Sequence, residues 1–361
     1  MKGQSIKFKS ETPNGFYTIL RQRADVYFNE EKLSKSGNIF LFAKALTLIV
    51  LYFGLYFLIF KGGVFTLFAY LSMGFLAVPL ILNIGHEAAH STFSKSPIVN
   101  TILVKIFNIL GAESAIWQHK HTHSHHIFPN IAGYDFDIAQ NDLARIAPTA
   151  RYLQAHRFQH LYMPFLYLIY TLNWLIYRDF KDFKQFFSDS PNRTRQFIVL
   201  VLSKIFYFSY ILIVPLIVLK DDTSIVWLGF IAMQFMMSAT TFLVLVSAHV
   251  GENAVFPVPD TEGRLTHTWS EHQLITTTDF APENAVVTHL FGGFNHHVVH
   301  HLFPNVSHVH YPALTNIAKQ TAAEFGLTYR CFSTIRESVI SHFYFLKKNG
   351  LPPDFFEHAD I

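Results

Sequence analysis

Four long apolar stretches constrain this chain more than any other feature of its sequence. Each carries at most one charged residue and is about 20 residues or more in length, which as a helix spans about 30 Å, enough to cross the hydrocarbon core of a bilayer. Only 15% of the 361 residues are charged, whereas a soluble domain has about 25%. The sequence therefore predicts an all-α integral membrane protein. The four predicted spans cover residues 38–60, 64–85, 197–219 and 225–248.

The connections between these stretches predict two transmembrane hairpins. Lys61-Gly62-Gly63 joins the first pair of spans, and the polar turn 220–223 joins the second. Two hairpins leave both termini on one side, and the basic segment 1–37 assigns that side to the cytoplasm by the positive-inside rule. Thr101–Trp117 and His160–Tyr177 are shorter or mixed in polarity. We interpret both as interfacial helices, with a further span as the alternative for each.

Composition excludes several other classes of protein. The chain has one cysteine, Cys331, so it has neither a disulfide framework nor a cysteine-ligated metal site. A net charge of +3 without a basic run gives no reason to expect a nucleic-acid partner. Residues 1–37 also lack the apolar core of a secretory signal peptide.

Histidine is the unusual residue, with 21 copies, of which 17 lie in the windows 85–130 and 248–310. Residues spaced three or four apart share one helix face, where two imidazoles can bind one metal ion. The second and fourth spans are predicted to end on the same side of the membrane, so the histidine clusters are expected to converge there. Neutral imidazole suits iron, zinc, copper or nickel, and eight or nine ligands exceed the needs of one ion. The three histidine clusters occupy residues 86–90, 119–126 and 296–301.

Helical geometry leaves the ligands of the second cluster open. With His121 at 0°, His125 lies at about 40° and His126 at about 140° around an ideal helix. The alternative set of His119, His123 and His126 falls within about 60°, which is the tighter group by angle alone. The sequence does not decide between the two sets.

The first cluster permits a different enzyme class. His86-Glu87-Ala88-Ala89-His90 matches the HExxH pattern of zinc hydrolases, in which the glutamate acts as general base. That alternative, an intramembrane zinc protease, needs a third ligand and leaves the other two clusters without a role.

From about residue 15 to residue 340, the sequence resembles the membrane fatty acid desaturases, and within them the linoleoyl-CoA and front-end group. Residues 117–130, WQHKHTHSHHIFPN, resemble that group's second histidine box, and residues 292–314, GGFNHHVVHHLFPNVSHVHYPAL, resemble the third. The resemblance divides the chain into a cytosolic segment 1–37, a membrane desaturase domain 38–340 and a C-terminal tail 341–361. We expect no fused cytochrome-b5-like domain, because residues 1–37 are too few to hold one.

The resemblance implies a di-iron centre on the cytoplasmic side, with O2 as co-substrate. Two positions depart from the family pattern, since Glu87 stands where aspartate is more usual and His297 where front-end members often have glutamine. Nearby polar side chains are candidates for orienting the ligand rings through hydrogen bonds. The candidates are Glu87, Asp135, Asp137 and Asn295. The implied iron ligands are His86, His90, His121, His125, His126, His249, His297, His300 and His301.

The implied reaction introduces a cis double bond into a fatty acyl chain, carried by an acyl-CoA or a membrane lipid. Electrons would come from a separate donor, either a ferredoxin or free cytochrome b5 with its reductase. Arg145, Arg151 and Arg157 are candidate docking residues for an acidic donor. The nearest alternative is a hydroxylase or ketolase that uses the same centre to insert oxygen. Regiochemistry, chain length, the donor's identity and oligomeric state do not follow from the sequence.

Overall fold

The computed structural model describes residues 5–138 and 142–352, which are mostly helical. The chain divides into two compact units. We call residues 36–119 and 165–242 the span unit, and residues 1–35, 120–164 and 243–361 the histidine unit.

Four helices are long and apolar enough to cross a membrane, which confirms the predicted all-α membrane fold. They begin and end within a few residues of the predicted ranges. These helices are span 1 (Ile39–Ile59), span 2 (Gly63–Ala89), span 3 (Arg193–Val218) and span 4 (Thr223–Leu245, the apolar part of helix Thr223–His249).

The first hairpin turns at a pair of glycines between spans 1 and 2. Gly62 and Gly63 have φ angles of 78° and 56°. These values lie in the left-handed region, which glycine enters without the steric cost of a Cβ atom. The hydroxyl of Thr66 then donates to the carbonyl of Ile59 at 2.7 Å and ties the two helix ends together.

Polar groups hold the span unit together inside its apolar helices. Tyr70 of span 2 donates to the carbonyl of Ile211 in span 3 at 2.7 Å. That carbonyl belongs to the π-helical turn Ser209–Ile213, where the regular hydrogen-bond ladder is interrupted. Gln234 of span 4 donates to Tyr207 of span 3 at 2.6 Å. Each bond joins two spans and satisfies a polar group where no water is available.

The two segments of mixed polarity form short helices. The predicted interfacial segment 101–117 lies within two helices, Pro97–Ile109 and Ser114–His125, that meet at a bend of 105°. Segment 160–177 is likewise broken into short pieces. The shorter helices in and around these segments are Pro97–Leu103, Ile106–Ile109, Ser114–Lys120, Gln159–Leu168, Tyr170–Asn173, Trp174–Arg178 and Asp179–Phe187.

The histidine unit combines short helices with two parallel strand pairs. Strand β1 (Lys7–Lys9) pairs with β2 (Arg264–Thr268), and β3 (Asp279–Phe280) pairs with β4 (Cys331–Phe332). The helices of this unit in the described residues, besides those already given, are Phe16–Glu30, Gln154–Phe158, Trp269–Thr276, Ala285–Leu290, His297–Leu302, His308–His310, Tyr311–Glu324 and Ile335–Asn349.

The core of the histidine unit supports the third histidine cluster. Phe16, Leu20 and Phe28 of the N-terminal helix pack with Leu314 of helix Tyr311–Glu324 and with Val298 of the histidine helix. The N-terminal segment is thus part of this unit's core. At the other end, helix Ile335–Asn349 runs across the predicted domain boundary at residue 340, and residues 353–361 of the predicted tail lie outside the described part of the chain.

Candidate metal centre

The second histidine cluster is shaped by a π-helical turn, His121–His125. The amide of His126 donates to the carbonyl of His121, five residues earlier, at 3.0 Å. A turn that closes after five residues is wider than an α-turn, so the residues four and five positions after His121 both return to its side. The structure therefore brings His121, His125 and His126 together.

His119 and His123, which belong to the alternative set alone, have other surroundings. His119 belongs to the span unit, where its ring lies 5.3 Å from the ring of Phe186. Nδ1 of His123 lies 2.8 Å from the hydroxyl oxygen of the adjacent Thr122. The angular comparison of the two ligand sets assumed an ideal α-helix, and this segment is not one.

The third cluster lies on the helix His297–Leu302. His297, His300 and His301 are buried on it at the spacing that places side chains on one face. A carboxylate oxygen of Asp279 accepts the amide of Val298 at 2.9 Å and so caps the helix. Burial raises the pKa of Asp279 to about 7, and hydrogen bonds from Tyr329 and Val298 act in the opposite direction.

His249, the last residue of helix Thr223–His249, joins both clusters. Its Nε2 lies 2.6 Å from Nε2 of His297. Its ring centroid is 4.4 Å from that of His125 and 4.9 Å from that of His301. Nε2 of His121 and Nε2 of His126 are likewise 3.0 Å apart. Seven predicted ligands thus meet within the histidine unit.

Six of these seven imidazoles fall into two overlapping groups, each of which can hold a metal ion, and His121 groups instead with His125 and Asp137. Within each group the ligand atoms lie within 4.8 Å of one another, with His301 shared between the two. Nε2 of His301 is buried and has no hydrogen-bond partner among the described residues. Such an atom is suited to a metal ion. The first group is His125, His249, His297 and His301, and the second is His126, His300 and His301.

The electrostatics keep most of these imidazoles neutral, the form that binds metals. Burial lowers the pKa of His121 to about 4. Burial, followed by the neighbouring imidazoles, holds the pKa values of His297 and His301 well below the ordinary value. Burial also disfavours the charged form of His125, but the carboxylates of Asp135 and then Asp137 raise its pKa above the usual value. The donor set therefore fits a metal ion that binds neutral imidazole, as iron does.

Asp135, a predicted orienting residue, lies directly behind His125. Its carboxylate oxygens are 3.1 and 3.2 Å from Nδ1 of His125. They also accept the backbone amides of Asn130 and Asp137, each at 2.9 Å. Asp137 is more exposed, lies 3.7 Å from Nδ1 of both His121 and His125, and pairs with the buried Lys120 at 3.0 Å.

Asn130 also helps to shape the site, although the sequence did not predict this role. Its backbone has a φ of 59°, and its buried side-chain amide donates to the carbonyls of His249 and Val255, each at 3.1 Å. It thereby ties the loop after the second cluster to the end of helix Thr223–His249. The signal was present as the asparagine that ends WQHKHTHSHHIFPN, since asparagine tolerates the left-handed conformation.

The remaining predicted residues have other contacts. Asn295 donates its side-chain amide to the carbonyl of Ala281 and to the hydroxyl of Thr288, each at 3.0 Å. His296 lies between Thr315, at 2.8 Å, and Thr288, at 3.4 Å.

The first histidine cluster lies in the span unit, at the end of span 2. A π-helical turn, Ile81–His86, ends in the first histidine, and the ring centroids of His86 and His90 are 4.8 Å apart. The ring of Trp117 lies 5.8 Å from that of His86. Glu87 accepts the hydroxyl of Thr92 at 3.0 Å, which closes the turn that carries His90.

Comparison with known proteins agrees with this histidine architecture. Residues 61–333 match the model of the family described as fatty acid desaturase. The chain belongs to the fatty acid desaturase family. It is therefore an oxidoreductase that desaturates fatty acyl chains, and the membrane-spanning fold is that of a membrane-bound desaturase.

Several curated desaturases align with nearly the whole chain. The sn-1 linoleoyl-lipid 6-desaturase of Synechocystis sp. is 30% identical over 97% of this chain and 99% of its own length. The acyl-lipid (8-3)-desaturase of Physcomitrium patens is 30% identical over 97% of this chain and 75% of its own. The sn-1 linoleoyl-lipid 6-desaturase of Arthrospira platensis is 29% identical, over 98% and 95% respectively.

One residue predicted to dock an electron donor is buried in this desaturase. The Arg145 guanidinium donates to the carbonyls of Ala150, Asn349 and Leu351 at 2.9 to 3.1 Å. The docking prediction is therefore wrong for Arg145, because its charge faces carbonyl groups inside the unit. Arg151 and Arg157 are exposed.

Proposed function

We propose that this protein is an acyl-lipid desaturase that uses two iron ions, O2 and electrons from a separate donor. The observation that carries the proposal is the buried group of seven imidazoles in the histidine unit of a fatty acid desaturase. The substrate class is inferred from its relatives, since those from Synechocystis and Physcomitrium act on acyl lipids.

We assign nine iron ligands on the family pattern and the described contacts. Seven of them come together within the histidine unit. His86 and His90 are added because they form the first histidine box of the family and lie next to each other at the end of span 2. The nine are His86, His90, His121, His125, His126, His249, His297, His300 and His301.

When bound, the iron pair would supply the power to activate O2, which no side chain has. The balanced reaction takes two hydrogens from adjacent methylenes, together with two electrons and two protons, and reduces O2 to two water molecules. The chain's own residues hold neutral imidazoles in place, exclude water and orient the ligand rings. Asp135 fixes His125 in this way, because its carboxylate accepts a hydrogen bond from Nδ1 of the ring.

The centre and both termini are proposed to lie on the cytoplasmic side. The basic residues 1–37 and the two hairpins formed by the four long apolar helices support this assignment. Single cysteines at the exposed positions Lys220 and Ala323, in a Cys331→Ser background, test it. A membrane-impermeant maleimide should label the cysteine at position 220 in intact cells, and the one at position 323 only after permeabilisation. The reverse pattern would overturn the orientation.

Expression in a host that has suitable acyl lipids but lacks this desaturation tests the function. We expect fatty acid analysis to reveal a new double bond, with the product first appearing in glycerolipids. His125→Ala should abolish the product, whereas His123→Ala should retain it. Product appearing first in the acyl-CoA pool would contradict the substrate class. A product that has gained oxygen would instead support the hydroxylase alternative.

Family membership favours desaturation over the zinc-protease alternative. That alternative uses only His86, Glu87 and His90, all of which lie in the span unit. Metal analysis of the purified protein separates the two, because a desaturase of this kind should contain about two iron ions per chain and a protease one zinc.

A further inference from the structure

In four of the candidate ligands, the ring nitrogen Nδ1 lies next to a hydrogen-bond acceptor. A histidine that binds a metal through Nε2 must carry its proton on Nδ1, and that N–H needs an acceptor when it is buried. Asp135 provides one for His125, and the carbonyl of Thr276 provides one for His249 at 3.1 Å. The acceptors for His300 and His301 are two uncharged side chains, those of Tyr311 and Gln273.

Gln273 faces His301. Its side-chain oxygen lies 2.9 Å from Nδ1 of His301, and the residue is completely buried. Its side-chain nitrogen has no hydrogen-bond partner among the described residues. The contact with His301 is thus the hydrogen bond that orients this amide.

The helix that carries Gln273 is itself firmly held. It spans Trp269–Thr276 and begins with a capping box, in which Thr268 and Glu271 satisfy each other's backbone amides. The Gln273 carbonyl accepts the hydroxyl of Thr277 at 2.6 Å. A side chain on such a helix presents its oxygen in a defined place.

Tyr311 faces His300. Its hydroxyl lies 3.1 Å from Nδ1 of His300, and the residue is 3% exposed. The chain makes room for this ring at Gly293, where φ is 67° and an added Cβ would lie 3.0 Å from the Tyr311 ring and 2.8 Å from the His308 side chain. Glycine at this position lets the tyrosine approach the histidine helix.

We propose that Gln273 and Tyr311 are positioning residues of the metal centre. They hold His301 and His300 in the tautomer that carries the Nδ1 proton and direct each Nε2 toward the metal. Both acceptors are neutral, whereas the acceptor for His125 is a carboxylate. His301 and His300 are therefore weaker electron donors to the metal than His125. This inference rests on the proposed di-iron function.

Iron binding to the purified full-length protein tests the proposal without relying on turnover. The variants are Gln273→Leu, Gln273→Glu and Tyr311→Phe. Tyr17→Phe is the matched control for the tyrosine, since Tyr17 donates to the carbonyl of Leu302 on the same histidine helix at 3.1 Å. Gln159→Glu is the control for an added buried carboxylate, since Gln159 is completely buried and donates to the carbonyl of Leu346 at 2.8 Å in the same unit.

We expect Gln273→Leu and Tyr311→Phe to weaken iron binding by about 10- to 100-fold in competition with a chelator. Gln273→Glu should retain iron but change its Mössbauer parameters, because a carboxylate makes His301 a stronger donor. Tyr17→Phe and Gln159→Glu should match the wild type in iron affinity and spectrum. If Gln273→Leu does not fold, the other two variants decide.

Two results would overturn the proposal while the di-iron function stands. One is an iron affinity of Tyr311→Phe equal to that of Tyr17→Phe. The other is a Gln273→Glu spectrum identical to that of the wild type. A wild-type protein that binds no iron would instead refute the proposed function, and this inference with it.

Discussion

The span unit and the histidine unit bury polar groups for opposite purposes. In the span unit, polar side chains such as Tyr70 and Lys204 satisfy carbonyls and charges so that apolar helices can pack. In the histidine unit, Asp135, Gln273 and Tyr311 each contact Nδ1 of a histidine that we propose as an iron ligand. Substitutions of residues that pack the spans should therefore affect stability, whereas substitutions of residues that contact the proposed iron ligands should affect iron binding.

The largest effect on stability is expected at Lys204 in span 3. Its ammonium is buried and pairs with Asp179 at 2.5 Å. Lys204→Met leaves the Asp179 carboxylate buried without its cationic partner, which costs about 3–5 kcal/mol. Thermal unfolding in lipid nanodiscs measures the loss.

The exposed Lys220, at the turn before span 4, provides the matched control. Lys220→Met should leave the unfolding temperature near that of the wild type, and both variants should bind the wild-type amount of iron per folded chain. A loss at Lys204 no larger than that at Lys220 would contradict a structural role for the pair. Loss of iron from folded Lys204→Met protein would contradict the prediction that Lys204 affects packing alone.

Gly74 tests how closely spans 2 and 4 approach each other. A Cβ at this position would collide with the backbone carbonyl of Met233. Gly74→Ala should therefore destabilise the protein by about 1–3 kcal/mol through overpacking. Gly54→Ala in span 1 is the control, because an added Cβ there meets nothing within 4 Å. Equal unfolding temperatures for the two variants would show that spans 2 and 4 can separate without cost.

Asp135→Asn should instead change iron binding. The Asp135 carboxylate receives three N–H donors, from His125, Asn130 and Asp137. An amide NH2 cannot accept, so at least one donor loses its partner and His125 loses its charged acceptor. We expect iron affinity to fall by about 10- to 100-fold, measured by chelator competition.

Asp260→Asn is the control for this change within the same unit. Asp260 is exposed and accepts the backbone amides of Glu262 and Arg264, each at 2.8 Å, without contact to a histidine of the centre. Its iron affinity should equal that of the wild type. The role of Asp135 would be refuted if both variants bound iron equally well.

The sequence predicted the span unit better than the histidine unit. Hydropathy located the four spans because each helix is long enough for composition alone to define it. The second histidine cluster could not be resolved in this way, since the π-helical turn His121–His125 departs from the angles of an ideal α-helix. Arg145 was misplaced for a related reason, because its partners Asn349 and Leu351 lie about 200 residues further along the chain.

The family resemblance supplied what periodicity could not, namely the choice of His121, His125 and His126. It did not identify Asn130, Gln273 or Tyr311 as residues that build the site. Gln273 and Tyr311 are ordinary polar residues in the sequence, and only their distances to the histidines point to a role. Long-range hydrogen bonds of this kind leave no local pattern.

The smallest effect is expected at the exposed ion pair of the histidine unit. Arg23 makes two parallel hydrogen bonds to Glu324, at 2.8 and 2.7 Å, and joins the N-terminal helix to helix Tyr311–Glu324. Water and salt screen such a pair, and the two helices are already held by Leu20, Phe28 and Leu314. Arg23→Gln should leave iron affinity unchanged and shift the unfolding temperature only slightly at low salt and not measurably at high salt. A shift as large as that of Lys204→Met would show that surface charge, rather than the apolar core, holds the N-terminal helix against the histidine helices.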